Sequence, residues 1–331
     1  MAVSGERVLV TGGTGCIGSW IVRNLVQEDV PVVVLTSSRQ LGRLELILTD
    51  AELDRVDFVT GDIADLATLE SAGRQHGSNR IIHLAGMQFP FCAADPIRGA
   101  QVNVTGTVTI FELARRLGIE HVVYASSAAV YGPASHYPEP VLGPDAAFFP
   151  TSHYGVYKVA NEQSARVYFA NDGISSIGLR PHSVYGPGRD QGVPSKPTVA
   201  MIAAAAKRPY HVNFNGRYQF QFADDAARAF IRAVRAPAQG AAVYNIGGSR
   251  FGVDEIIACI EAAEPAARGR ITFDDRPLAF PAAFDSRPIF EALGAFTETP
   301  LDEGVRRTLE CYRTAFRDGT LDDAYLDRVL A

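Results

Sequence analysis

Tyr154 and Lys158 stand four residues apart in the run HYGVYKVANEQ. On a helix that spacing sets both side chains on one face, one turn apart. A phenol at its ordinary pKa is a poor base at neutral pH, and a nearby ammonium favours the phenolate. The pair is therefore a candidate for taking the proton of a substrate hydroxyl. Tyr157 is the weaker candidate, because its lysine is the very next residue. The run HVVYASSAAVYG adds Ser126 and Ser127 directly after an apolar stretch that reads as a strand. Ligands of open α/β sheets bind at the carboxyl ends of strands, so both hydroxyls are expected to point into the same crevice.

A second such stretch, VLVTGGTGCIGSWIV, begins at Val8. Gly12, Gly15 and Gly18 fall between a strand pattern and an amphipathic helix pattern. The first glycine permits a tight turn, the second lets a pyrophosphate approach the backbone, and the third lets the helix pack on the strand. Cys16 and Ile17 then begin the helix, whose N-terminal end favours negative charge. A plain tight turn would use the same glycines; the company of Ser127, Tyr154 and Lys158 favours a dinucleotide. The second strand ends in VVVLTSSRQ, without the carboxylate that usually binds an NAD ribose. Ser37, Ser38 and Arg39 offer hydroxyls and a guanidinium for a 2′-phosphate, which tips the expected cofactor slightly toward NADP over NAD. Asp62 closes the third strand, where a carboxylate can accept a bond from the adenine amino group.

These residues need a frame, and the rest of the chain supplies one. Its 331 residues are 47% hydrophobic and 21% charged, enough to bury a sizeable core. A net charge of −6 argues against a general nucleic-acid binder. No run reaches the roughly 18 apolar residues of a membrane span, and the opening MAVSGERVLV lacks the basic segment of a leader. Cys16, Cys92, Cys259 and Cys311 are scattered, as expected of reduced thiols in a cytoplasmic protein. The seven histidines have no ligand spacing, so no metal is expected.

Six short apolar runs alternate with helical patterns as far as Pro181. That alternation predicts the α/β class: a Rossmann-type doubly wound parallel sheet with a smaller C-terminal substrate-binding lobe. The expected dinucleotide-binding domain is 1–180, with a return segment near 215–248 that includes the strand AAVYNIGG. Residues 181–214 and 249–331 then form the substrate lobe. RGAQVNVTGTVTIFELARRLG and YGVYKVANEQSARVYFAND read as two long helices.

TGGTGCIG, GDI, HLAG, VNVTGT, YASSAAVYG, YGVYK and LRPHSVYGPG occur in that order over nearly the whole chain. Together they resemble the extended short-chain dehydrogenase/reductase superfamily, and within it the NAD(P)-dependent epimerase/dehydratase branch. The resemblance implies that Ser127 contacts substrate, that Tyr154 is the general base, and that Lys158 binds ribose and tunes the tyrosine. It implies that Leu84, Ala85 and Gly86 line the cofactor with Ile63, Ser126 and Pro181. Asn103 would support the site from its long helix, and Gln88, His182 and Ser183 would lie toward the substrate.

The departures bear on the substrate. Ala128 and Ala129 stand where the 4,6-dehydratases of this branch carry an Asp-Glu pair, which disfavours dehydration. Ser183 replaces a substrate-contacting asparagine. In NGRYQFQFADD, Tyr218 takes the place of a diphosphate-binding arginine, and Arg217 comes one residue early. One residue along a strand turns a side chain to the opposite face, so Arg217 reaches a diphosphate only if that segment is not extended. Arg276 fits a second phosphate-contacting arginine. The expected activity is epimerisation of a sugar or nucleotide sugar through a transient ketone. The alternative is net dehydrogenation of a sugar, sugar acid or related hydroxy compound, with cofactor exchange in each turnover. A homodimer through the two long helices is implied by the resemblance, although their apolar positions Val102, Val108, Phe111, Val159, Val167 and Phe169 would equally suit a core.

Overall fold

The computed structural model describes residues 5–237 and 239–331. Six strands follow one another into one parallel sheet: β1 (Val8–Thr11), β2 (Val32–Thr36), β3 (Val56–Thr60), β4 (Arg80–His83), β5 (His121–Ala125) and β6 (Ser175–Pro181). Three further strands lie outside it: β7 (Ser183–Tyr185), β8 (Tyr210–Val212) and β9 (Arg217–Phe222). β10 (Ala241–Ile246) returns and pairs in parallel with β6, giving the order β10-β6-β5-β4-β1-β2-β3. The chain reverses direction across the sheet between β1 and β4, so the crevice at their carboxyl ends is where a ligand is expected. β1 and β2 are buried at every residue, as a sheet covered on both faces requires.

The helices of the first half are α1 (Cys16–Gln27), α2 (Gly42–Glu45), α3 (Asp50–Leu53), α4 (Leu66–Gln75), α5 (Phe89–Ala94), α6 (Pro96–Ala100), α7 (Gly106–Leu117) and α8 (His153–Asp172). Those of the second half are α9 (Lys196–Ala205), α10 (Ala223–Arg235), α11 (Val253–Ala263), α12 (Arg287–Leu293), α13 (Leu301–Arg317) and α14 (Asp323–Leu330). α1 and α10 pack together on one face of the sheet, while α4, α7 and α8 cover the other. Ser152 caps α8 by accepting from the Gly155 amide at 3.1 Å, and Gly173, at φ 70°, ends it. No helix among the described residues is long and apolar enough to cross a membrane.

The expected long helix over Arg98–Leu117 is not regular. Between α6 and α7, residues Gln101–Thr105 form a π-helical turn that carries Asn103. Such turns commonly mark functional sites. The segment 215–248 also divides between two sheets. β9 pairs with β7 and with β11 (Arg250–Gly252) in a small sheet, and only β10 joins the large one. β8 pairs with β12 (Ile271–Phe273). One apolar core nevertheless runs from Val8 and Val10 through Phe222 and Phe230 to Val305 and Leu309 on α13.

Candidate active site

The glycine loop is built as close backbone packing. Gly12 has φ 72°, and a side chain there would lie 2.6 Å from the Ala85 amide nitrogen. A side chain at Gly18 would collide with the carbonyl oxygen of Gly12. Gly15 caps α1 without a side chain, and the first turn of α1 holds no acidic residue. The amides at Cys16 and Ile17 therefore present an uncompensated positive helix end, the environment that a pyrophosphate fits. A side chain on Gly86 would lie 2.7 Å from Asn103 Oδ1 and 3.6 Å from Lys158 Nζ, so this glycine keeps open the floor beside the lysine. These cradles fit a dinucleotide, with Leu84 and Ala85 lining the strand end across from Gly12.

Tyr154 and Lys158 share a face of α8, with Nζ 5.6 Å from the ring centroid. Lys158 is 4% exposed and donates to the Ala125 carbonyl at 2.7 Å. Burial pulls its ammonium down to about 8. Burial raises the Tyr154 phenol, and a hydrogen bond from Ser127 offsets part of the rise. Ser127 Oγ accepts from the Ala129 amide at 3.1 Å, which leaves its proton free to be donated. Tyr157 is occupied elsewhere, donating to the Pro96 carbonyl at 2.8 Å.

Ser126 differs from the expectation. Its hydroxyl points away from the crevice and donates to Glu162 Oε1 at 2.5 Å inside the protein. β5 has ended at Ala125, and adjacent residues of an extended chain face opposite ways, so of the pair only Ser127 is left on the Tyr154 side.

Beneath the site runs a hydrogen-bond chain whose direction can be read. Thr107 Oγ1 donates to the Asn103 carbonyl at 2.7 Å, so it accepts from His83 Nε2 at 3.0 Å. His83 Nδ1 then accepts from Thr11 Oγ1 at 2.7 Å, and Thr11 accepts the Ala85 amide at 3.3 Å. Burial holds His83 neutral, with its pKa down to about 3. This chain ties the glycine-loop strand to the π-helical turn. Asn103 Nδ2 is held by the carbonyls of Gly99 at 2.9 Å and Met87 at 3.2 Å, leaving Oδ1 buried without a partner beside Gly86.

At the adenine end, residues 37–40 are exposed, and the Arg39 guanidinium lies 5.3 Å from the Phe58 ring centroid. Thr36 Oγ1 donates to the Ser38 carbonyl at 2.7 Å and shapes that loop. Asp62 accepts from the Ala64 amide at 2.9 Å and from Arg98 at 2.8 Å, while Ile63 is buried against Gly106.

A further contact was not legible in the sequence. Arg43 on α2 donates to Asp190 at 2.6 Å and to the Thr14 carbonyl at 3.5 Å. The loop after β7 is thereby drawn to the glycine loop. Trp20 on α1 donates to the Pro187 carbonyl of the same loop at 3.1 Å.

Toward the substrate side, Pro181 ends β6 and His182 follows it. His182 Nδ1 donates to the Gln219 carbonyl at 2.9 Å, so Nε2 is the acceptor; it is buried without a partner among the described residues. Phe284, Phe280 and Tyr218 surround the ring at centroid distances of 4.8, 5.3 and 6.4 Å. Burial draws its pKa down to about 4. Ser183 is buried in β7, and Gln88 caps α5 near Gly192.

Arg217 does not join these residues. The segment is strand β9, and Arg217 is exposed on it, donating to Glu255 at 2.6 Å and to the Arg250 carbonyl at 3.1 Å. Tyr218 faces inward instead, its hydroxyl accepting the Leu278 amide at 2.6 Å. The strand alternation sends Arg217 to the wrong side for a bound diphosphate. Arg276 is exposed and has no acidic partner among the described residues.

The family model for the NAD dependent epimerase/dehydratase family matches residues 8–247. The chain belongs to that family. It is 31% identical over 321 residues to a UDP-glucose 4-epimerase of Mycolicibacterium smegmatis, covering 93% of this chain and 98% of that one. Among solved structures, MoeE5 in complex with UDP-glucuronic acid and NAD is 27% identical, with a TM-score of 0.77 over 94% of this chain and 100% of that one. The UDP-glucose 4-epimerase of Thermus thermophilus, in complex with NAD, is 25% identical with the same TM-score and coverage. The seven-stranded parallel sheet is thus that of Rossmann-type epimerases, and the chain is an NAD(P)-dependent enzyme of the short-chain dehydrogenase/reductase type.

Proposed function

We propose that this protein epimerises a nucleotide-linked sugar, with UDP-glucose and its C4 epimer as the leading pair. The observation that carries the reading is Lys158, buried with its ammonium over the Tyr154 ring and beside the open floor at Gly86. A bound dinucleotide would supply reversible hydride transfer at the sugar carbon. Tyr154 takes the hydroxyl proton from the same carbon's oxygen and later returns it. Ser127 donates to the phenol oxygen and orients the sugar hydroxyl. Lys158 holds the ribose and keeps the phenolate favoured.

NAD as resident cofactor is supported by the relatives solved with it. Ser37, Ser38 and Arg39 present no carboxylate to a 2′-phosphate, so NADP is expected to bind within about tenfold of NAD. Arg276 is the arginine available to a substrate diphosphate; with Arg217 turned away, recognition rests on it and on the aromatic wall at His182.

A homodimer through α6 and α8 is part of the reading. Ile97 is 76% exposed and Val156 48%, on adjacent helices, and Val167 and Phe169 are also exposed, whereas Phe111 belongs to the core. A cytoplasmic setting agrees with four free cysteines.

The test is the Tyr154→Phe variant assayed with UDP-glucose and with free glucose. The reading expects turnover of the nucleotide sugar alone, and a loss of about 10²-fold or more in the variant. Unchanged turnover in Tyr154→Phe would remove Tyr154 from the chemistry.

A further inference from the structure

Lys158 is followed one helical turn later by Glu162, and the helix places Tyr154, Lys158 and Glu162 in one column on α8. Glu162 is fully buried, 0% exposed, and its partner Arg180 on β6 is 1% exposed. The pair is bidentate, with Arg180 Nη2 donating to Oε2 at 2.6 Å and Nε to Oε1 at 2.7 Å. Two fully buried charges are costly to desolvate, and replacing such a pair with apolar groups is often neutral or stabilising. Stability alone therefore gives little reason to keep this one.

Its contacts suggest another reason. Glu162 Oε1 also accepts from Ser126, the residue between Ala125, whose carbonyl receives Lys158, and Ser127, whose hydroxyl neighbours the Tyr154 phenol. Arg180 donates to the Tyr131 hydroxyl at 2.6 Å and to the Pro144 carbonyl at 2.7 Å. Its strand continues directly into Pro181 and His182 at the substrate side. One carboxylate thus joins the helix of the base, the strand end of the substrate serine and the strand leading to the nicotinamide-facing segment.

Charge gives the pair a second role. The titratable groups facing Lys158 are Tyr154 and Glu162 on its own helix, Cys92 on α5 and His83 on β4. Burial keeps the Cys92 thiol protonated and the His83 ring neutral, which leaves Glu162, ion-paired with Arg180, as the carboxylate facing Lys158. Arg180 lies beyond Glu162, bound to its far side.

We propose that Glu162 and Arg180 are a positioning pair for proton transfer, the Glu162 carboxylate holding Lys158 charged while it fixes the strand end that carries Ser127. This rests on Tyr154 and Lys158 acting as described above. Neither member touches substrate or cofactor. Removing the negative charge lets Lys158 lose its proton at lower pH, so activity should fail earlier as the pH rises.

The experiment compares Glu162→Gln, which keeps the shape, with the double variant Glu162→Gln/Arg180→Met, which removes both charges and leaves no buried cation unpaired. Ser126→Ala serves as a third variant that spares the ion pair. For each, kcat and KM for UDP-glucose are measured across pH, with the melting temperature and dinucleotide affinity read from Trp20 fluorescence. Expected for Glu162→Gln is an alkaline limb moved down by about one pH unit, a tenfold change in proton affinity, and for the double variant a smaller downward move, because the opposing charge of Arg180 goes too, with KM and dinucleotide affinity within about threefold of the parent in both. Ser126→Ala should lower kcat by several-fold without moving the limb. An alkaline limb unmoved in the folded Glu162 variants overturns the proposal, as does a loss of kcat equal at every pH that follows the melting temperature. Tyr154→Phe is run alongside: if it retains turnover, the underlying reading fails, and if it is inactive while the limb stays fixed, the pairing inference alone fails.

Discussion

In the proposed chemistry Lys158 is the central residue, because burial and function pull its charge in opposite directions. Burial draws the ammonium down to about 8, while the proposed mechanism needs that charge to favour the phenolate of Tyr154. Activity should therefore be sustained through neutral pH and fall as the pH rises past about 8, which a kcat–pH profile measures directly. A profile still level well above that value would mean that Lys158 does not act through its charge. Lys158→Met should lower kcat by about 10²–10⁴-fold across the range. That Tyr154 and Lys158 share a face was legible from type and spacing, since a helical turn maps sequence distance onto a face. Ser126 was misread for a complementary reason: one residue past the end of β5, adjacent hydroxyls point opposite ways, and composition cannot tell which faces out. Glu162 and Arg180 were not found at all. They are 18 positions apart on a helix and a strand, and nothing local announces that they meet.

At the scale of elements, the glycine loop is proposed to hold the cofactor by what it omits. Replacing Gly18 by alanine would set a methyl group against the Gly12 carbonyl and push α1 off β1. Dinucleotide binding followed through Trp20 on α1 should weaken by about tenfold or more, with the sheet otherwise folded. Equal affinity in that variant would mean that the close helix–strand approach is not used. The alternation of strands and helices to Pro181 could be read because β-branched runs buried on both faces leave a continuous apolar pattern. The π-helical turn at Gln101–Thr105 could not, since it depends on where Asn103 finds the carbonyls of Met87 and Gly99. Arg217 was legible conditionally: an extended segment turns it outward, and β9 is extended. The bond from Arg43 to Asp190 is a tertiary contact across the crevice mouth. Asp190→Asn should loosen the loop after β7 and speed exchange of bound dinucleotide; an unchanged exchange rate would assign that loop a purely structural role.

For the whole molecule, buried neutral histidines make acid a denaturing stress. His83 and His182 have folded pKa values drawn by burial to about 3 and about 4, below the ordinary 6.5 of a free histidine. Their contribution to stability is complete above pH 6.5 and is lost as the pH falls through the interval down to those values. Over that interval each costs about 1.4 kcal/mol per pH unit, so denaturant midpoints should fall steadily on acidification. A flat midpoint between neutral pH and about pH 4 would contradict the buried, neutral state of both rings. The most direct measurement is to incubate the purified enzyme with UDP-glucose and no added cofactor, following both UDP-galactose and the absorbance of reduced nicotinamide. Interconversion of the two sugars without net reduced cofactor is the predicted result. Reduced cofactor formed in step with an oxidised sugar, and only when dinucleotide is supplied, would contradict it.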